Sequence, residues 1–68
     1  AGMKLQINGR EREVDAGSTV AAILARFELK PETVVIEWKG EILPRERYGW
    51  AVPAEGDRLE IVRVVGGG

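Results

Sequence analysis

Few side chains in this sequence can do covalent chemistry, and the best candidate is not a side chain. Neither cysteine nor histidine occurs among the 68 residues. That excludes disulfides, thiol nucleophiles, imidazole acid-base catalysis and the common zinc sites together. Carboxylates, three lysines and one tyrosine remain, with no carboxylate cluster in an apolar stretch that would tune them, so no catalytic or metal-ligating residue is assigned. The chain closes on Val64-Val65-Gly66-Gly67-Gly68 and a free carboxylate. Glycine loses the most backbone freedom on ordering and packs nothing, so such a run adds little to a fold. Lacking Cβ atoms, however, Gly66 and Gly67 can thread a channel closed to other residues and carry Gly68 roughly 10 Å past the last ordered position.

A carboxylate resists nucleophiles until one oxygen becomes a leaving group. Adenylation by ATP achieves this through a mixed anhydride, which sulfur or an amine then attacks. No internal thiol is present to capture the acyl group, and a domain that lends only its terminus needs no catalytic residues. A linker remnant is the competing explanation for the glycines. Against it, the apolar strand runs into them with no polar spacer.

The elements that must position this terminus follow from periodicity. Met3 to Ile7 alternates strictly, placing Met3, Leu5 and Ile7 on one face. Asn8-Gly9 is a hairpin signal, because a type I′ turn needs positive φ at both central residues. Arg10 to Val14 returns antiparallel. A two-residue loop sets Arg12 opposite Leu5 on the core face, acceptable if its stem lies along an edge and its head reaches water; with a bulge as the alternative, the register stays open. Ser18 or Thr19 caps a helix whose stripe is Val20, Ile23, Leu24 and Phe27. Pro31 bars its continuation. Thr33 to Trp38 reads as a strand buried on both faces or in the middle of the sheet. Lys39-Gly40 turns into a short strand, Glu41 to Leu43, stopped by Pro44. Pro44 to Trp50 is irregular or a single helical turn. Glu55-Gly56-Asp57 turns into a last strand, Arg58 to Val65, with Leu59 and Ile61 on one face and Glu60 and Val62 on the other.

Strand, strand, helix, strand, short strand, strand is the order of an α+β β-grasp: a mixed sheet of four to five strands with one helix across one face and the last strand beside the first. Residues 3–65 form that domain, 66–68 a flexible glycine tail, and Ala1-Gly2 reads as an expression scar. Net charge is -1, without the basic stripe that nucleic acid requires. No apolar run is long enough to span a membrane and no signal peptide opens the chain, so the expected location is cytoplasmic. A domain this small buries only about 60% of the surface its unfolded chain exposes, leaving little for cleft walls. A carrier or binding module is favoured over an enzyme.

The segments MKLQING, V-D-A-G-S-T-V-A-A-I-L-A-R-F, G-E-I-L-P-R-E and E-G-D-R-L-E-I-V-R-V-V-G-G-G, in that order, resemble the ThiS family, ubiquitin-like sulfur carriers of thiamin biosynthesis. Trp38-Lys39 and Tyr48-Gly49-Trp50 depart from the usual pattern. The resemblance implies that Gly68 is adenylated by an E1-like adenylyltransferase using ATP, with no cofactor bound to the carrier. The carboxylate then becomes a thiocarboxylate with sulfur from a persulfide sulfurtransferase, and the sulfur passes to thiazole synthase. A molybdopterin synthase small-subunit type of carrier, a ubiquitin-like protein modifier and a β-grasp binding module with an incidental tail are the alternatives. Partner contacts are expected from Val62, Arg63, Val64 and Val65, with Tyr48 and Trp50 in an aromatic patch nearby. Trp38 is expected in the core, Arg45 bonded to backbone, and Lys4, Lys30 and Lys39 at the surface.

Overall fold

The computed structural model describes residues 1–64; Val65 to Gly68 lie outside the described residues. Five strands form one mixed sheet in the order β2-β1-β5-β3-β4. Strand β1 (Gly2–Ile7) pairs antiparallel with β2 (Arg10–Asp15), Ile7 facing Arg10 and Leu5 facing Arg12. The loop is therefore the two-residue turn, with Asn8 at φ 53 and Gly9 at φ 80, and no bulge shifts the register. Gly2 is the first residue of β1, opposite Asp15, and the Ala16 amide donates to the Ala1 carbonyl at 3.1 Å, so pairing begins ahead of the Met3–Ile7 alternation.

Helix α1 (Val20–Arg26) is short because both ends are capped. The Thr19 hydroxyl accepts from the Ala22 amide at 3.1 Å, satisfying a first-turn donor. At the other end Glu28 adopts φ 60, and the amides of Glu28 and Leu29 bond back to Ala25 and Leu24, the pattern of a Schellman cap. The helix thus stops well before Pro31, which opens a separate 3₁₀ turn at Pro31–Thr33. Thr33 belongs to that turn, and β3 runs Val34–Trp38.

The core lies between α1 and the sheet. Met3, Leu5, Ile7, Val14, Val34, Ile36 and Leu59 meet Val20, Ile23 and Leu24 there, each large side chain stabilising the fold by roughly 1.5–3 kcal/mol on full burial. Of the two alternatives for β3, a place in the middle of the sheet is the one observed, and the strand is not buried on both faces. Val34 and Ile36 are buried while Glu37 is exposed, because one helix covers one face only. Trp38 continues the buried side and packs partly against the core. Strand β4 (Glu41–Ile42) ends one residue early, and Leu43 turns into the core with its amide on the Ile36 carbonyl at 2.8 Å.

Candidate functional site

Strand β5 (Arg58–Arg63) carries the chain toward its terminus through the middle of the sheet, parallel to β1 and antiparallel to β3. Its position is fixed at both ends. At the start, one Asp57 carboxylate oxygen accepts from the Trp38 indole and from the Ala54 amide, each at 2.9 Å. The Ala54 bond first and the Trp38 bond second hold this carboxyl below its ordinary value of 3.8, because both donors favour the charged form. The Asp57 carbonyl accepts from Gln6 and the Gly56 amide donates to Lys4, stitching the turn to β1. At the far end the Asn8 side chain takes both sides of Ile61: its Nδ2 donates to the Ile61 carbonyl at 3.0 Å, and its Oδ1 accepts from the Ile61 amide at 2.7 Å. Beyond the strand, the Val64 amide donates to the Thr33 carbonyl at 2.8 Å.

This register decides what faces a partner. A one-residue slip would exchange the faces of every side chain on β5. As paired, Leu59 is fully buried beneath the helix and Ile61 half-buried, whereas Val62 is 58% exposed on the open face, across from Val35. Val64 is 50% exposed just after the strand. Beside them on the open face Glu60 sits across from Glu37. Arg63 is exposed on the helix side, so Val62 and Arg63 address opposite faces of the sheet.

Two expected contacts are placed elsewhere. Tyr48 is only 4% exposed and belongs to the core, which corrects its assignment to a partner-facing patch. The reason lies in the 3₁₀ turn Arg45–Arg47, which brings residues 48 to 51 under the start of α1, where the Val20 and Ala21 amides donate to Ala51 and Tyr48 carbonyls. Trp50 is 66% exposed, with the Arg47 guanidinium 5.6 Å from its ring. It stands near the helix N-terminus, while the end of β5 lies by Phe27 and Leu29 at the helix C-terminus. Tyr48 and Trp50 form no shared surface patch. Arg45 reaches the Glu32 carbonyl at 3.5 Å, in line with a backbone role. The candidates Val65, Gly66, Gly67 and Gly68 lie outside the described residues. Among the described residues no helix is long and apolar enough to cross a membrane.

Residues 5–68 match the ThiS family profile. The chain belongs to the ThiS family. Its β-grasp agrees with a crystal structure of the thiamine biosynthesis protein ThiS from Geobacter metallireducens, with a TM-score of 0.81 at 32% identity, covering 97% of this chain and all of that one. Among curated family relatives, the sulfur carrier protein ThiS of Bacillus subtilis is 38% identical, the match covering 94% of this chain and 98% of that protein. A thiazole synthase of Paramagnetospirillum magneticum is 42% identical over 97% of this chain. This family member spans only 20% of the length of that thiazole synthase and of its Magnetococcus marinus counterpart.

Proposed function

We propose that this chain carries sulfur for thiamin biosynthesis and that the Gly68 carboxylate is its working group. The observation that carries this reading is the continuity of the family match through Gly68, on a strand locked in the sheet's centre and leading toward that residue. An E1-like adenylyltransferase joins the carboxylate to AMP, releasing pyrophosphate from ATP. The terminal sulfur of a persulfide, supplied by a sulfurtransferase, then displaces AMP. Cleavage of the resulting S–S bond by a thiol reductant leaves a thiocarboxylate, a nucleophilic sulfur donor. Gly66 and Gly67 give the terminus its narrow approach. Val62, Val64 and Val65 provide apolar contact to the enzymes that receive the tail, with Arg63 on the opposite side.

Thiazole synthase is the acceptor in this scheme. Supporting that choice, two relatives named thiazole synthase contain a segment similar to nearly this whole chain. The carrier acts as a co-substrate and supplies no catalytic side chain, and the cytoplasm, where ATP is plentiful, is its expected compartment.

The test is intact-mass measurement after incubation with a candidate adenylating enzyme, ATP and a persulfide, with fragmentation to locate the change. Replacement of one oxygen by sulfur at Gly68 supports the proposal; an amine adduct without sulfur overturns it. Removal of Gly68 is expected to abolish ATP–pyrophosphate exchange while leaving Tm unchanged. Undiminished exchange in the shortened chain would refute the role of the terminus.

A further inference from the structure

Arg10 and Arg12 occupy core-face positions of β2, opposite Ile7 and Leu5, where alternation calls for apolar side chains. Helix α1 is too short to cover this end of the hairpin, and an open groove of about 570 Å³ is left there. Phe27, Leu29 and Ile61 give it apolar walls, and Arg10, Arg12 and Arg63 line it with cations. The Arg12 guanidinium lies 4.7 Å from the centre of the Phe27 ring, which holds its head in place. Among the described residues no acidic side chain lines the groove. Among the described residues the ion pair present is Lys4 with Glu11, so none of the three arginines has a carboxylate partner. Stacking on Phe27 settles Arg12 alone; a broken local rule that leaves three cations without a carboxylate among the described residues marks a site shaped for something other than stability.

We infer that this groove docks an acidic segment of a partner protein, its carboxylates on Arg10, Arg12 and Arg63 and an aliphatic or aromatic side chain against Phe27, Leu29 and Ile61. Guanidinium forks favour carboxylates, and an apolar wall distinguishes a peptide from a bare anion. Arg63 ends β5, so the bound segment lies beside the place where the chain leaves the sheet, on the face opposite Val62. A partner that takes both faces fixes the direction in which the terminus is presented. Only this last consequence rests on the carrier proposal; the binding does not.

The experiment is an amide NMR titration of the full chain with an acetylated, amidated hexapeptide, Asp-Glu-Leu-Phe-Asp-Glu, and separately with inorganic pyrophosphate. The expected result is a saturable shift of Arg10, Arg12, Phe27, Ile61 and Arg63 by the peptide, weakened several-fold between about 50 and 300 mM salt. Arg12→Glu and Arg63→Glu should each lower affinity about tenfold or more, because reversal sets like charges together. Arg12→Lys, which keeps the charge but loses the fork and the stacking on Phe27, should bind more weakly than the original chain and more tightly than Arg12→Glu, and a dispersed amide spectrum from each variant checks that it folds. No saturation at millimolar peptide, shifts centred on Val62, or equal binding of pyrophosphate would overturn the inference. No adenylation or sulfur transfer is measured, so failure here is separate from failure of the Gly68 experiment.

Discussion

Asp57 is where a single side chain can be weighed against the whole fold. Its carboxylate receives two hydrogen bonds at 2.9 Å, one from the Trp38 indole and one from the Ala54 amide. Bonds to a charged acceptor contribute about 1.5–3 kcal/mol each, and half-exposed ones fall at the low end. Asp57→Ala removes both and should cost about 2–3 kcal/mol. Asp57→Asn keeps a neutral acceptor and should cost about 1 kcal/mol. For a domain of this size 1 kcal/mol moves Tm by about 4–8 °C, so the alanine variant should melt roughly 8–24 °C lower. The folded-state carboxyl titrates below its ordinary 3.8, so its contribution is complete above that pH and is lost as pH falls through the lower folded value. Thermal melts of the original chain and Asp57→Asn, followed by Trp38 fluorescence in a Trp50→Phe background, should show a constant gap above about pH 5 that closes in acid. A gap unchanged from pH 7 to pH 2 would show that the charge does not strengthen these bonds.

Asn8→Ala removes both bonds to Ile61 and places a Cβ-bearing residue without side-chain compensation at φ 53; urea denaturation should show a loss of about 2–3 kcal/mol. Asn8→Gly, which relieves the backbone, should lose about 1–2 kcal/mol, and a glycine variant as stable as the original would mean the Ile61 bonds add nothing. Val62→Asp on the open face should change stability by about 1 kcal/mol or less. It should lower kcat/KM for pyrophosphate exchange about tenfold or more, because a carboxylate would have to be desolvated at an apolar contact. Unaltered kinetics would remove Val62 from the docking surface.

Much of the fold was legible because its information is local. Alternation in Met3–Ile7 placed the core face, Asn8-Gly9 placed the turn, and Leu59 with Ile61 against Val62 sorted the last strand. Tyr48 escaped because its burial depends on where residues 48 to 51 pass under α1, a contact between segments about thirty residues apart that no periodicity reports. The stripe ended at Phe27, where the helix is capped, but the cap itself was not legible, because Glu28 takes the left-handed conformation where glycine or asparagine is the usual signal. For β3 the clue was present in Glu37, a charge inside an apolar run, which marks one side as solvated. The groove was half-visible, since Arg12 stood out against the alternation, but Arg63 joins it only through the pairing of β5 with β1.

The clasp of Asn8 on Ile61 and the hold of Thr33 on Val64 have a mechanical side. Any enzyme that draws the terminus into a channel pulls along β5, a strand flanked by β1 and β3 rather than one at the rim. Tension along such a strand loads the bonds on both sides in shear, so several must fail together before the strand moves. An edge strand would peel away one bond at a time. A domain built this way stays folded under tension applied beyond β5, where one with its last strand at the rim would unravel.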